Sequence, residues 1–478
     1  MATQEKVPIE KADVAPEGTP GDISSDAGEI AETVNEKALL RKIDGHLLPA
    51  VGLLYLCPSS TGLMCAAGNE YLTGLTLYFV GYVIFEIPCN IILKKTTPRV
   101  WLPTLTIAWG IVATLMGIVT NLPGFLIARF FLGVTESGLF PGVVYYFSMW
   151  YKRKERQFRI SLFFSGAALA GAFGGLLAYG IGHMRGIVWE NGWRWIFILE
   201  GILTVVVAVA AYWFIQNYPD TATFITDKER LFIRDRLASD SDATLDESFT
   251  WDNVIAALKD PKCWLYGLGF HTTSLPLYTF SLFLPSIIAN LGYKAAIAQL
   301  LTVPPTPSHS SRPSPPPSCP KESAAAPLHH GILPLRHHRL RDFAEQQGSR
   351  GQAGRVLRGY VFAAGGIFPA VALVLSWPAI NISGQTKRAV GNAMQISIGN
   401  LGAVLGTQLY RANDGPRYIV GHSFALAYLF GNIVVAGLLW WVLKRENERR
   451  AEITAEVKAV GELDDWTGDA DPRWRFEY

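Results

Sequence analysis

The amino-acid sequence predicts an all-α polytopic membrane protein. Half of its 478 residues are hydrophobic and the mean hydropathy is +0.21. Apolar runs close to the roughly 20 residues that cross a bilayer recur along it, and clusters of Lys and Arg punctuate those runs mainly on one side. A formal net charge of +2 carries no mark of a nucleic-acid partner, and none is expected. The five cysteines, Cys57, Cys65, Cys89, Cys263 and Cys319, show no CxxC spacing. They read as small membrane residues, with neither a disulfide framework nor a metal site, and no cofactor is expected.

Taken in order, residues 1–40 read as a disordered tail. Met1 to Glu36 holds nine acidic residues and two Lys with no apolar block, so no cleavable signal peptide is expected. Residues 41–215 form a first bundle of six spans: Leu47 to Gly68, Leu75 to Leu93, Val100 to Val119, Gly124 to Met149, Ile160 to Ile181 and Trp195 to Ile215. In the fifth, Ala167, Gly171 and Gly175, and likewise Gly166, Ala170 and Gly174, recur at four-residue spacing, which suits close helix packing. Residues 216–260 are a hydrophilic loop, in which Thr226 to Glu229 reads as a capping box opening a short helix. A second bundle begins at 261–303 with a span from Cys263 to Ala289. It resumes at 360–445 with spans at Tyr360 to Ile382, Ala389 to Leu409 and Tyr418 to Leu443, and a polar tail occupies 446–478. Counting basic clusters at 41–42, 94–99, 152–159, 387–388 and 444–450 places both termini in the cytosol. Asn381, Ile382 and Ser383 form a glycosylation sequon at a cytosolic end, so it stays unmodified.

The fourth span carries Arg129 and Glu136 inside an apolar helix. A charge near the centre of a span costs about 2.5–3.5 kcal/mol even on lenient scales, so such groups face a protein interior or a water-filled cavity. Seven residues apart, the two share a face but are separated by roughly 10 Å along the axis. Side chains tilt toward the helix N-terminus, so each must look to another helix or to a ligand. Arg129, about five residues into the span, could instead snorkel to the interface. Gly133, Gly138 and Gly142 let a neighbouring backbone approach, and Pro141 bends the helix.

Between Val303 and Gly359 the composition changes. Eight of the eighteen residues from Val303 to Pro320 are Pro, and the whole segment holds seven Arg and five of the nine His. By composition, 304–359 is a disordered loop. The topology allows two crossings here or none, however, and Ala295 to Val303 resembles a span stopped at Pro304. A misread frame or exon over 305–359, replacing two helices, accounts for both.

Ten spans, a hydrophilic centre after the sixth and room for two more resemble the six-plus-six plan of the major facilitator superfamily. The segments RKIDGHLLPAVGLLYL, GNEYLTGLTLYFVGYVIFEIPCNIILKK and ARFFLGVTESGLFPGVVYYFSMWYKRKERQFRISLFFSG are similar to the fungal allantoate permease family of anion:cation symporters. So are NGWRWIFILEG, the run from Ala363 to Tyr410, and the WRFEY tail. That family carries an Asp-Arg-x-Asn motif at the outer end of its first helix, where this chain reads CPSSTGLMCAAG.

The resemblance implies a plasma-membrane, monomeric symporter of protons with a small organic anion such as allantoate, nicotinate, pantothenate or biotin. On that plan Arg129 binds the carboxylate, since a guanidinium fork matches it. Glu136 couples protons, because desolvation brings a carboxyl into the range where it exchanges them. Glu86, beside Pro88, is a second coupling candidate, and His271, Asn392 and Gln395 are further binding candidates. For His271 a partnered packing role is equally open. Asn392, Gln395, Gly399, Gly402 and Gly406 form one stripe, most simply a packing seam. Glu200, near an interface, reads as structural. A membrane nutrient sensor that binds without transporting remains a second class. No nucleophile or metal arrangement points to an enzyme.

Overall fold

A computed structural model describes residues 34–56, 69–164, 181, 193–238, 249–290, 350–410, 418–460, 469 and 471–478. Cys57, Cys65, Cys319, the small-residue stripes at 166–175 and most of the Pro-rich segment lie outside the described residues.

Among the described residues there is no strand, and the elements are helices in one sequential order. They are α1 (Glu36–Leu56), α2 (Asn69–Lys95), α3 (Pro98–Ile118), α4 (Leu122–Glu136), α5 (Leu139–Ser148), α6 (Trp193–Phe214), α7 (Asp227–Ala238), α8 (Trp251–Lys259), α9 (Pro261–Asn290), α10 (Arg350–Asn381), α11 (Gln385–Thr407) and α12 (Ile419–Val460). Residues 153–164 are also helical. Five stretches are long and apolar enough to cross a membrane by length and composition: Glu70–Lys95, Pro98–Ile118, Leu122–Ser148, Arg194–Phe214 and Ile419–Thr454. Their outer faces leave Ile111, Leu115, Ile202, Val206, Phe430 and Val434 exposed, as lipid-facing surfaces do.

Local chemistry sets the ends. Asn121 caps α4, its Oδ1 accepting from the Gly124 amide at 2.8 Å, and Pro98 opens α3 where its missing N–H is not needed. The bend expected at Pro141 falls at Ser137 and Gly138, the turn just before it, where proline cannot donate back to residue 137. In the loop, the Thr226 amide donates to Glu229 Oε2 at 2.8 Å and the Glu229 amide to Thr226 Oγ1 at 3.4 Å, the reciprocal capping box that opens α7.

Three helices extend beyond the spans expected from hydropathy. α1 starts at Glu36, capped by Asn35 Oδ1 at 3.2 Å from the Ala38 amide, and buries Leu39, Ile43 and Leu47 along one stripe. α10 starts at Arg350, within the stretch of changed composition. α12 runs 42 residues, through the charged stretch after Leu443, where Arg450 pairs with Glu446 at 2.8 Å and Lys444 with Glu448 at 3.9 Å at helical spacing.

Glycines govern how closely the helices meet. A Cβ on Gly133 would lie 1.9 Å from the Tyr78 carbonyl oxygen, so α2 and α4 touch backbone to backbone. Gly110 and Gly201 do the same for α3 and α6, while on α11 Gly402 meets the His271 carbonyl of α9 and Gly399 and Gly406 make room for the Phe270 and Thr279 side chains. The glycine stripe of α11 is therefore a packing seam. We expect Gly133→Ala to cost about 1–3 kcal/mol through overpacking, read as a lower unfolding midpoint in detergent. An unchanged midpoint would refute this contact.

The N-terminal half (α1 to α6) and the C-terminal half (α9 to α12) meet along α2 and α11, which run antiparallel. Thr76 Oγ1 lies 3.0 Å from Thr407 Oγ1 at one end, Ser397 Oγ donates to Glu86 Oε2 at 2.8 Å midway, and Lys94 Nζ donates to Gln385 Oε1 at the other end. This last, basic end also gathers Arg153, Arg156 and Lys387. Arg156 donates to the Ser148 and Tyr151 carbonyls and to Ala379, capping the C-terminal ends of α5 and α10.

At the same end, Lys387 Nζ bridges Asp260 at 2.9 Å and Asp469 at 2.8 Å, with Lys262 at 3.4 Å from Asp260. Burial alone would raise the Asp260 carboxyl, but Lys262 and Lys387 hold it below its ordinary value. A depressed folded value contributes stability above the unfolded pKa, near 3.9, and loses it as pH falls through the folded one. Lys387→Ala should therefore cost about 3 kcal/mol at neutral pH, as breaking buried pairs does. The gap from wild type should close only below about pH 4. An unfolding-midpoint series against pH checks this, and a gap that persists in acid would contradict it.

Candidate functional site

Glu86 and Ser397 bring buried polar groups together at the junction between halves. Along α2, Tyr78, Tyr82, Glu86 and Asn90 recur every four residues and so form one stripe. Glu86 is fully buried. One carboxylate oxygen accepts from Ser397 across the junction, and the other has no hydrogen-bond partner among the described residues. Nor does any described cation pair with it. Asn90 turns its amide back onto the Glu86 carbonyl at 2.9 Å and leaves its own Oδ1 unpartnered.

Glu136 ends α4, half-buried, and is hydrogen-bonded to Tyr78. Both Glu86 and Glu136 lie within electrostatic reach of the Tyr82 hydroxyl, while the Tyr78 and Tyr82 rings lie 6.0 Å apart. The two carboxyls expected separately from sequence thus belong to one tyrosine-lined group.

Arg129 does not snorkel. It is 1% exposed, and its guanidinium sits 5.1 Å from the Phe125 ring centroid and 5.9 Å from that of Phe197 on α6. As its position two turns from Glu136 requires, it turns toward another helix.

On α11, Asn392 and Asn400 are 1% and 0% exposed, and neither amide has a hydrogen-bond partner among the described residues. A buried amide left unsatisfied costs about 1–3 kcal/mol, so this helix carries open capacity for a polar ligand. Asn400 lies one turn beyond Ser397, on the side facing α2. Gln395 is committed, donating to the Val374 carbonyl of α10 at 2.7 Å. His271 is also engaged: Nδ1 lies 3.0 Å from the Ile398 carbonyl oxygen, and Nε2 lies 3.4 Å from the Tyr428 hydroxyl on α12. It holds three helices of the C-terminal half together. Glu200 is buried at 7% in α6, where Gly201 meets α3.

Asn400, Ser397, Tyr78 and Tyr82 were not singled out from sequence. The four-residue period on α2 was the available signal. Asn400 sits in a glycine-rich helix whose packing function masks it. No grouping of three or more potential metal ligands occurs among the described residues.

A profile of the Major Facilitator Superfamily matches residues 56–443. The chain is 31% identical to the MFS transporter prlL of a fungal species, over 85% of this chain and 84% of that protein. It is 27% identical to the major facilitator-type transporter hxnP of Emericella nidulans, over 98% of both, and 28% identical to the MFS-type transporter cnsO of Penicillium expansum, over 92% and 90%. Among solved structures it superposes on the proton:xylose symporter XylE with a TM-score of 0.55 at 13% identity, covering 85% of this chain and 96% of that one. A bacterial homologue of the lysosomal transporter Spinster gives 0.53 at 13% identity with the same coverage. The family match over most of the chain shows that it belongs to the Major Facilitator Superfamily of secondary transporters.

Proposed function

We propose that the chain symports protons with a small organic anion of the carboxylate or vitamin class, such as allantoate, nicotinate, pantothenate or biotin. The supporting observation is Glu86: a fully buried carboxyl bridging the halves through Ser397, with one oxygen unsatisfied. In alternating access the two bundles rock about a site near the bilayer midplane. Separation of α2 from α11 takes Ser397 away from Glu86, so the proton affinity of this carboxyl differs between states. A proton that binds one state better shifts the equilibrium between them. Glu136, hydrogen-bonded to Tyr78 beside it, is the second coupling carboxyl. Arg129 supplies the positive charge for the substrate carboxylate, and Asn392 and Asn400 supply neutral donors and acceptors. Gln395 and His271 shape the C-terminal side of the site through the bonds they already make.

The carrier acts as a monomer in the plasma membrane. Residues 41–215 form one bundle and 261–445 the other, and the basic end faces the cytosol together with both termini. Residues 305–359 stand in place of two helices through a frame or exon error. Transcript sequencing tests this, and a region with no apolar alternative frame would overturn it. Function is tested by uptake of a radiolabelled carboxylate panel into proteoliposomes under an imposed pH gradient. Gradient-dependent accumulation of at least one member is expected. Specific binding with no uptake of any member would favour a nutrient sensor.

A further inference from the structure

The final residues of the chain are built into the basic end. On α12, Arg450 donates to the carbonyls of Asp469 at 2.9 Å, Asp471 at 3.2 Å and Trp474 at 3.3 Å, and its guanidinium lies 4.5 Å from the Phe476 ring. Asn447 pairs with the Phe476 backbone in both directions at 2.8 Å, and Asn381, at the end of α10, does the same with Glu477 at 2.8 and 2.7 Å. Trp474 and Phe476 are 1% and 3% exposed and pack with Cys263, Tyr266, Met394 and Leu443. The tail is therefore a folded part of the C-terminal half, held by paired backbone bonds from two helices.

Its contact with the other half is of a different kind. Arg153, at the start of helix 153–164, lays its guanidinium 3.8 Å from the Trp474 ring centroid and donates to the Arg475 carbonyl at 3.0 Å. The same side chain donates to the Ile380 carbonyl at 2.7 Å, and Arg156 donates to Ala379 at 3.1 Å. One arginine of the N-terminal half thus rests on a tryptophan that the tail alone supplies. The tail is bonded to α10 and α12 within its own half, so separation of the halves breaks the Arg153 contacts while these stay intact.

We propose that residues 471–478 form a latch across the basic end, in which docked Trp474 receives Arg153 and keeps this end of the transporter closed until Arg153 lifts away. The proposal rests on the two-half carrier reading but on no particular substrate. Opening toward this side then requires loss of the stacking over Trp474 and of the carbonyl bonds of Arg153, while the tail stays on its own half. A segment far along the sequence thereby sets how often the carrier opens.

The test is electron–electron distance measurement on the full chain, with spin labels at Lys154→Cys on the N-terminal half and Lys259→Cys on α8, whose Val254 and Ala257 pack against the C-terminal half, both positions exposed. Native cysteines are replaced by alanine, and each variant is checked for a monodisperse, folded elution profile. Arg153→Gln and Trp474→Ala should each raise a longer-distance population by about tenfold, as loss of a desolvated cation–π contact implies. The double variant should raise it no further than Arg153→Gln alone, because that change already removes the stacking over Trp474 together with the carbonyl bonds. Arg153→Gln leaves every residue of the C-terminal half in place, so an unchanged distribution in that variant would overturn the latch whatever Trp474→Ala does. The measurement needs no substrate, so its outcome is separate from failure to find a transported carboxylate.

Discussion

Glu86→Gln is expected to abolish accumulation driven by a proton gradient while leaving substrate exchange across the membrane intact. Glutamine preserves the shape of the side chain and can still accept from Ser397 Oγ, which donates to Glu86 at 2.8 Å. It cannot bind and release a proton. The packing of α2 on α11 therefore survives, and the state-dependent proton site is lost. Gradient-driven uptake should fall to the level seen without a gradient, and counterflow should persist, since the isosteric amide fills the same buried space and keeps the Ser397 hydrogen bond. Glu136→Gln should also lose proton-driven uptake, because its carboxyl shares the Tyr78 and Tyr82 environment. Normal uptake with unchanged pH dependence would remove either residue from coupling.

Arg129→Lys is expected to weaken carboxylate affinity, and Arg129→Ala to weaken it further. Lysine keeps the charge but offers no planar fork for a carboxylate and stacks less well between Phe125 and Phe197. Truncating one member of a buried charged contact costs about 2–5 kcal/mol, or roughly 30-fold to several thousand-fold in affinity at 1.4 kcal/mol per tenfold. The loss should appear in KM for the anion. Arg129→Ala with an unaltered KM and a lowered thermal midpoint would instead make Arg129 a packing residue of α4 and α6.

The charged span was legible because two charges in an apolar run have few structural excuses. Its breaks were legible too: Pro141 and the glycines at 133, 138 and 142 act where steric rules say they must. The α11 seam was read correctly from Gly399, Gly402 and Gly406. The same seam concealed Asn400, since a polar residue in a small-residue helix looks like one more packing position. The partnership of Glu86 with Ser397 spans 311 positions of chain, and no local period reports such a contact. Hydropathy also ended α12 too early. Helical charge pairs carry it past Leu443, and the tail that docks there reads as merely polar until Trp474 and Phe476 are seen inside an apolar cluster.

Proton movement itself tests the central claim most directly. With purified protein in liposomes enclosing a pH-sensitive dye and no imposed gradient, adding a transported carboxylate outside should acidify the lumen in step with its uptake, and Glu86→Gln should take up substrate without that signal. Uptake by the wild-type chain with no change in lumenal pH would contradict the account.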